Sequence, residues 1–425
     1  MKKRHILIVA FSYPPLFAIG SRRIAMLARG LYDKGFIPHI ITAKNPPQKY
    51  PLENLVPEQY VHHVRWFDIW QLIYLLNKFK LTKIFGKVLG YYIPFASNTV
   101  PERRRFYWIR PAIKKGLQII DKYDIELIYS SYTPPASIRI ASALKDKTGL
   151  PWINEYRDLW TGNPYVKQSE KERKMNFQKE KEMIAKTNAL VTVSEPLKKE
   201  LEKLHQKPTY VIYNGIDEIK EFNIQSFNES KIIIVYAGSI YKGKRDPMPF
   251  FQALKILKEK DTELYFKFSI NFYGPGLTRI LGKDIDDLEL NDIVKLHEPV
   301  SHAEILDIQE KADILLLLGW NNKADVGVLT GKVFEYLGMK KPILGLGYKE
   351  GAMDNVLKET NTGKIINNPQ EIYKYLIKIT KIVQNKKRLK SFKDNITIES
   401  YYRKRQINNL VEIIKKHLVV NSSKF

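Results

Sequence analysis

The sequence contains no cysteine. That excludes disulfides, thiolate metal sites and a cysteine nucleophile, and it fits a reducing compartment. No apolar run approaches the ~18 residues that a membrane-spanning helix needs. The opening MKKRHILIVAFSYPP has only a brief apolar stretch, Ile6 to Phe11, and no small-residue cleavage pattern after it. A first buried strand is therefore expected there rather than an export signal. Low-complexity tracts and short-period repeats are absent, and no GxGxxG follows the first strand-like run. Acidic residues are scarce, 45 Asp and Glu against 70 Lys and Arg, which leaves a formal charge of +25. Such an excess points to anionic partners: nucleic acid, anionic lipid or a phosphorylated substrate. A Lys-rich coding bias accounts for part of it, but not for the clusters described below.

What is present reads as α/β. The chain has 425 residues, too many for one core, so two domains are expected. In the first half, strand-like runs occur at Ile6 to Phe11, Ile37 to Thr42, Ile125 to Ser130, Pro151 to Glu155, Ala189 to Val193 and Thr209 to Tyr213. Helical spacing lies between them, as in Ser21 to Lys34, closed by Gly35, and Pro135 to Lys145. After a polar joint at Glu218 to Lys231 the pattern restarts with KIIIVYA, then Tyr265 to Tyr273, Ile293 to Leu296, Ala312 to Leu318 and Pro342 to Leu346. Near-continuous apolar strands alternating with helices indicate doubly wound parallel sheets covered on both faces. The expected division is 1–220, 221–397, and a helical segment 398–425, too polar for a core helix, packing back on the first domain.

The most informative stretch is ADVGVLTGKVFEYLGMKKPILG, Ala324 to Gly345 and its neighbours. It reads as a Gly-bearing loop, a helix opening near Thr330 and a buried strand from Pro342. A helix amino end offers unpaired N–H groups and positive potential, suited to phosphate. Gly327 and Gly331 permit close backbone approach. Glu335, one turn in, is placed to accept hydrogen bonds from ribose hydroxyls; the alternative is an ordinary loop–helix–strand unit with Glu335 solvated. Ligands of open parallel sheets sit outside the carboxyl ends of the strands. Three loops there carry suitable residues: Gly20 with Arg22 and Arg23 after the first strand; Gly238 with Lys244 and Arg245 after KIIIVYA; and Gly274 in FYGPG. Each alone also reads as a plain strand–helix turn. Asp284-Ile285-Asp286 has metal-motif spacing but lies in a charged stretch read as a solvated loop. His62-His63 has no evident partner set for zinc. No metal is expected.

Taken together, these residues resemble retaining GT-B glycosyltransferases of the family 4 type. The resemblance rests on YPPLFAIGSRR, SSYTPPAS, PWINEYRDLW and VTVSEPL in the first half and YNGID at the junction. The second half adds YAGSIYKGKRDP, FYGPG, VKLHEPVSHAEIL and TGKVFEYLGMKKPIL. It implies two Rossmann-like domains facing across a cleft, and transfer of a sugar from a nucleotide-diphosphate donor, UDP-linked by expectation, with no other cofactor. By position, Lys244 and Glu335 match the residues bearing on catalysis. Gly20, Gly238, Lys244, Arg245, Gly274, Val300, Leu329, Thr330, Gly331, Lys332 and Glu335 match the donor site, with Val300 to Ile305 as the base-binding turn. One departure stands out: the first glutamate of the family's E-x7-E pattern is Gly327 here. The family's second-domain Arg is Ser239, and its paired glycines are Ile19-Gly20.

Between Trp66 and Arg110 aromatic, aliphatic and basic residues interleave. Lys78, Lys80, Lys83, Lys87, Arg103, Arg104, Arg105 and Trp108 suit an anionic membrane surface, with aromatics at the headgroups and cations in the phosphates. The expectation is a cytoplasmic enzyme, peripheral at the inner face of the plasma membrane, with a lipid-linked or saccharide acceptor of cell-surface polysaccharide synthesis. The alternative for this stretch is helices packed within the first domain. For the whole chain, a sugar-nucleotide epimerase keeps the fold but finds no convincing acid–histidine set. A nucleic-acid-binding protein explains the charge but lacks a recognisable module, so no specific nucleic acid is expected.

Overall fold

The computed structural model describes residues 3–16, 18–44, 52–66, 106–163, 165–166, 168–217, 231–241, 243–385 and 394–422. The chain divides into two compact units, 1–213 with 404–425, and 214–403.

The first unit runs β1 (Arg4–Val9), α1 (Ile19–Asp33), β2 (Phe36–Ala43), β3 (Val61–Val64), α2 (Phe106–Lys122), β4 (Ile125–Tyr132), α3 (Pro135–Thr148), β5 (Trp152–Tyr156), α4 (Glu170–Ile184), β6 (Ala189–Thr192), α5 (Glu195–His205) and β7 (Thr209–Val211). Its sheet has the order β3-β2-β1-β4-β5-β6-β7, with every pair parallel. All eight residues of β2 and all five of β5 are buried, as a sheet covered on both faces requires. Gly35 has φ +88, the left-handed conformation that stops α1 and turns the chain into β2.

The second unit runs β8 (Ile232–Ala237), α6 (Met248–Lys260), α7 (Thr262–Phe266), β9 (Phe268–Tyr273), α8 (Leu277–Asp287), β10 (Val294–His297), α9 (His302–Lys311), β11 (Ile314–Leu318), α10 (Gly331–Met339), β12 (Ile343–Leu346), α11 (Ala352–Glu359), β13 (Gly363–Ile365) and α12 (Pro369–Val383). Its sheet order is β10-β9-β8-β11-β12-β13, again parallel throughout. The last helix, α13 (Arg403–Ser422), brings the chain back to the first unit.

The two doubly wound sheets agree with the expected class. Several local readings need correction. Tyr265 and Phe266 end the short helix α7, capped by Asp261, whose side chain accepts from the Leu264 N–H; the strand starts only at Phe268. The Asp284-Ile285-Asp286 stretch is the last turn of α8, and Ile285 is core. Residues two apart on a helix do not share a face, so the two aspartates cannot converge on one ion. Helix α13 is not merely a polar cover. Ile407, Leu410, Val411, Ile413, Ile414 and Leu418 join the core cluster formed by β1, β2 and α1. Its apolar stripe was diluted in the average by the polar outer face. Gly30 in α1 lets Ile407 close in: a β-carbon there would stand 2.5 Å from the Ile407 side chain.

Candidate active site

In each sheet the strand order reverses at one point, between β1 and β4 in the first unit and between β8 and β11 in the second. Helices leave in opposite directions there and open a crevice outside the carboxyl ends of the strands.

In the second unit β8 ends on Gly238, whose φ is +147. A β-carbon on it would lie 2.3 Å from Lys332 Nζ and 2.5 Å from Lys332 Cε. A β-carbon on Gly274, at the end of β9, would lie 2.2 Å from the Gly238 carbonyl oxygen. Two glycines thus let β8, β9 and the start of α10 close on one another. The Tyr236 hydroxyl donates to the Ser239 carbonyl at 3.0 Å and stabilises the turn. Lys332 Nζ stands 5.9 Å from the Tyr236 ring centroid.

Helix α10 begins beside this turn. Its N-cap, Thr330, makes no side-chain cap, and its buried hydroxyl has no partner. There is no acidic residue in the first turn. Gly331 faces open space on its would-be Cβ side. An N-terminus uncapped in this way retains its capacity for an anion. Leu329, 6% exposed, anchors the loop into the core. Burial, then the neighbouring Arg245 charge, pull the Lys332 ammonium down to about 8, against the opposing influence of Glu335. Lys332, Arg245 and Glu335 therefore share one electrostatic environment. Lys244 Nζ lies 4.7 Å from the Trp320 ring centroid, and the Arg245 guanidinium 5.0 Å from that of Tyr241. Arg245 and Trp320 are bridged in antiparallel fashion. Buried Asp325 accepts the Trp320 N–H at 3.2 Å, so the carboxylate of this loop is structural. Gly327, where the E-x7-E pattern has its first acid, is buried and supplies none.

Val300 is exposed (38%) in the loop before α9, whose N-cap Ser301 and Glu304 form a capping box. A feature missed in the sequence lies at the neighbouring strand ends. Tyr273 and His297 stack at 4.4 Å between centroids, 11° from parallel, and the Nε2 of His297 is 3.0 Å from Asn271 Oδ1. Their parallel register places them side by side, a relation that sequence spacing conceals.

In the first unit the structure corrects the loop after β1. Arg23 is no surface cation. It is buried, donates from Nε at 2.9 Å and from Nη2 at 2.8 Å to Glu155 Oε1, and donates to the Ile212 carbonyl at 2.8 Å. Glu155 also accepts from the Tyr129 hydroxyl at 2.9 Å and the Ser131 hydroxyl at 2.6 Å. Burial works against its charge, but Arg23, the Ser131 hydroxyl and the nearby Arg157 charge hold the carboxyl below its usual range. The would-be Cβ side of Gly20 is filled: a β-carbon there would stand 1.8 Å from Arg157 Nη1. Arg157, not singled out in the sequence, is the first residue after β5, and a cation directly following a buried strand was the available signal.

His62 also has more company than its sequence neighbours suggest. It lies on β3 with Nε2 3.5 Å from His39 Nδ1, and His39 Nε2 is 2.9 Å from His5 Nδ1. No group of side chains able to hold a metal occurs among the described residues.

Of the surface-binding residues, Lys78, Lys80, Lys83, Lys87, Arg103, Arg104 and Arg105 lie outside the described residues. Trp108 does not face a membrane. It is fully buried and meets Phe11 edge-on at 5.2 Å, in the core under α2. No helix among the described residues is long and apolar enough to cross a membrane.

Comparison with known proteins adds to this geometry. Residues 20–219 match the model of Glycosyltransferase Family 4. No curated protein sequence matches. A glycosyltransferase from Rickettsia africae superposes with a TM-score of 0.65 at 16% identity, covering 98% of this chain and 99% of that one. Sucrose-phosphate synthase from Thermosynechococcus elongatus gives 0.64 at 12% identity, with 98% and 100% covered. Anabaena HepE in complex with UDP gives 0.63 at 12% identity, with 97% and 100% covered. These likenesses establish the fold, that of GT-B glycosyltransferases.

Proposed function

We propose that this chain, a glycosyltransferase whose residues 20–219 form a Glycosyltransferase Family 4 domain, moves a sugar from a UDP-linked donor to a lipid-linked or saccharide acceptor in cell-surface polysaccharide synthesis. One observation carries the donor assignment: the charges of Arg245 and Glu335 act on Lys332 beside the uncapped start of α10, at the switch point of the second sheet. The arrangement suits a diphosphate, with main-chain N–H groups and cations meeting its oxygens and Glu335 accepting from the ribose. The UDP complex of HepE, which shares the fold, supports the choice of nucleotide.

Charge on the leaving diphosphate is stabilised by Lys244, Arg245, Lys332 and the helix amino end, so the reaction proceeds without a metal ion. The protein's contribution is positioning and electrostatics. In a retaining course the departing phosphate oxygen takes the acceptor proton, and no side chain acts as the base. The +25 charge and the basic, aromatic stretch 66–110 support association with the anionic inner face of the plasma membrane.

Calorimetric titration of UDP into the protein in excess EDTA tests this reading. Micromolar binding is expected, weakened at least tenfold by Lys244→Ala or Glu335→Ala. Binding that needs added Mg²⁺, or that both variants leave unchanged, would refute the assignment.

A further inference from the structure

The carboxyl ends of β8, β9 and β10 are joined in line. The Gly238 N–H donates to the Tyr273 carbonyl at 2.7 Å, and the Gly274 N–H to the His297 carbonyl at 3.1 Å. The parallel register sets Ala237, Tyr273 and His297 side by side in one row. Neighbouring strands lie about 4.8 Å apart, so His297 stands roughly 10 Å from the β8 end of that row. A nucleoside that reaches across one ribose from its diphosphate covers this order of distance.

A ligand whose diphosphate lies at Gly238 and Lys332 can extend along this row, or the opposite way over β11 and β12. The opposite way offers little to a base. Leu318 and Leu346 are core residues there, and Asn367 is spent on Gly347, donating to its carbonyl at 2.8 Å and accepting from its N–H at 3.0 Å. The row towards β10 ends on the half-buried rings of Tyr273 and His297, followed by the exposed segment 298–304.

His297 is held in one tautomer. Asn271 Nδ2 donates to the Ser269 hydroxyl at 3.2 Å, which turns its Oδ1 towards the imidazole, 3.0 Å from Nε2. Nε2 therefore carries the hydrogen, and Nδ1 keeps a lone pair. Burial holds the ring below the ordinary histidine value, so it is neutral at physiological pH. Tyr273 fixes its plane through the 4.4 Å stack. No group among the described residues takes the Nδ1 lone pair.

We propose that His297 selects the base of the donor nucleotide, its Nδ1 accepting the ring N3–H of uracil. The inference rests on the donor assignment above and adds the side chain that reads the base. Uracil carries a hydrogen on N3, whereas cytosine has a lone pair there. Lone pair against lone pair leaves both unsatisfied, and a site built to accept an N–H rejects the analogue that lacks it.

The full chain is titrated with UDP and with CDP by calorimetry. The parent is expected to prefer UDP at least tenfold. His297→Phe keeps a ring on Tyr273 and removes the acceptor. It should weaken UDP about tenfold, leave CDP within twofold and so erase the preference. Asn271→Asp sets a carboxylate against Nε2, favours the imidazolium and turns Nδ1 from acceptor to donor. CDP should then gain on UDP, and this variant serves if His297→Phe fails to fold. A merely structural role would lower both nucleotides together and leave their ratio in place. Equal affinity of the parent for UDP and CDP, or a preference for CDP, overturns the proposal while the donor assignment stands. A preference for UDP that the variants leave unchanged overturns it too. If the parent binds neither nucleotide, the donor assignment falls and the role of His297 falls with it.

Discussion

The ammonium of Lys332 occupies the space that a side chain on Gly238 would fill, 2.3 Å from the would-be β-carbon. The absence of one methyl group therefore positions the cation next to the turn that follows β8. Gly238→Ala has two costs. A φ of +147 is strained for any L side chain, and Lys332 must move. The expected outcome is a loss of about 1–3 kcal/mol of stability in denaturant unfolding and a fall in UDP affinity larger than that of Lys332→Met. A neutral Gly238→Ala would show that the two residues are not coupled.

On the proposed donor assignment, Lys332 makes nucleotide binding depend on pH. Its ammonium is held at about 8, below the ordinary lysine value, first by burial and then by Arg245. Above pH 8 the free protein loses this charge, and a bound diphosphate must draw a proton back. UDP affinity is therefore expected to fall from pH 8 to 9.5, with net proton uptake detected by calorimetry in buffers of differing ionisation enthalpy. Lys332→Arg should abolish the uptake. Uptake unchanged in that variant would assign the proton elsewhere.

The row His5, His39 and His62 crosses β1, β2 and β3. His39 also packs against Tyr123 at 4.2 Å and Tyr60 at 5.4 Å. Burial chiefly, then the neighbouring imidazoles for His39, and Lys115, His63 and Lys122 for His62, hold both rings down to about 4. The unfolded chain binds protons on these rings near 6.5 and the folded chain only near 4. Their contribution to stability is thus complete above 6.5 and is lost as pH falls from 6.5 towards 4. The melting temperature should drop over that window, and His39→Gln should flatten the drop. A parallel pH profile in the variant would count against the row.

Arg23 and Glu155 form a buried pair, 3% and 0% exposed, inside the first unit. Removing one partner strands the other: Arg23→Met should cost about 3–5 kcal/mol. Arg23→Met with Glu155→Leu should cost less than Arg23→Met alone, because the Glu155 carboxylate is then not left buried without its partner. Chemical denaturation of the two variants measures the difference, and a double variant weaker than the single would contradict it.

Much of the architecture was legible because parallel strands buried on both faces leave apolar runs that no other element imitates. Ile232–Ala237 and Ile314–Leu318 are such runs. The start of α10 was legible for a different reason: glycine, threonine and an apolar helical stripe mark a helix amino end locally. The short edge strands β3 and β13 escaped notice. β3 reads VHHV, with polar residues that carry no strand signal until partners across the sheet bury them. Trp108 was misplaced because an aromatic next to basic residues looks the same in a core as at a surface.

From its own letters the chain determined two doubly wound α/β units and a loop that opens a helix just before Glu335, since periodicity and turn chemistry act over a few residues. Only the tertiary structure decided that Arg23 is spent on Glu155 and that Arg157 stands over Gly20. It also decided that Tyr273 stacks on His297. Those relations join residues from different strands, brought together by the sheet order, and charge or contact between them depends on distance in space, which sequence separation does not encode.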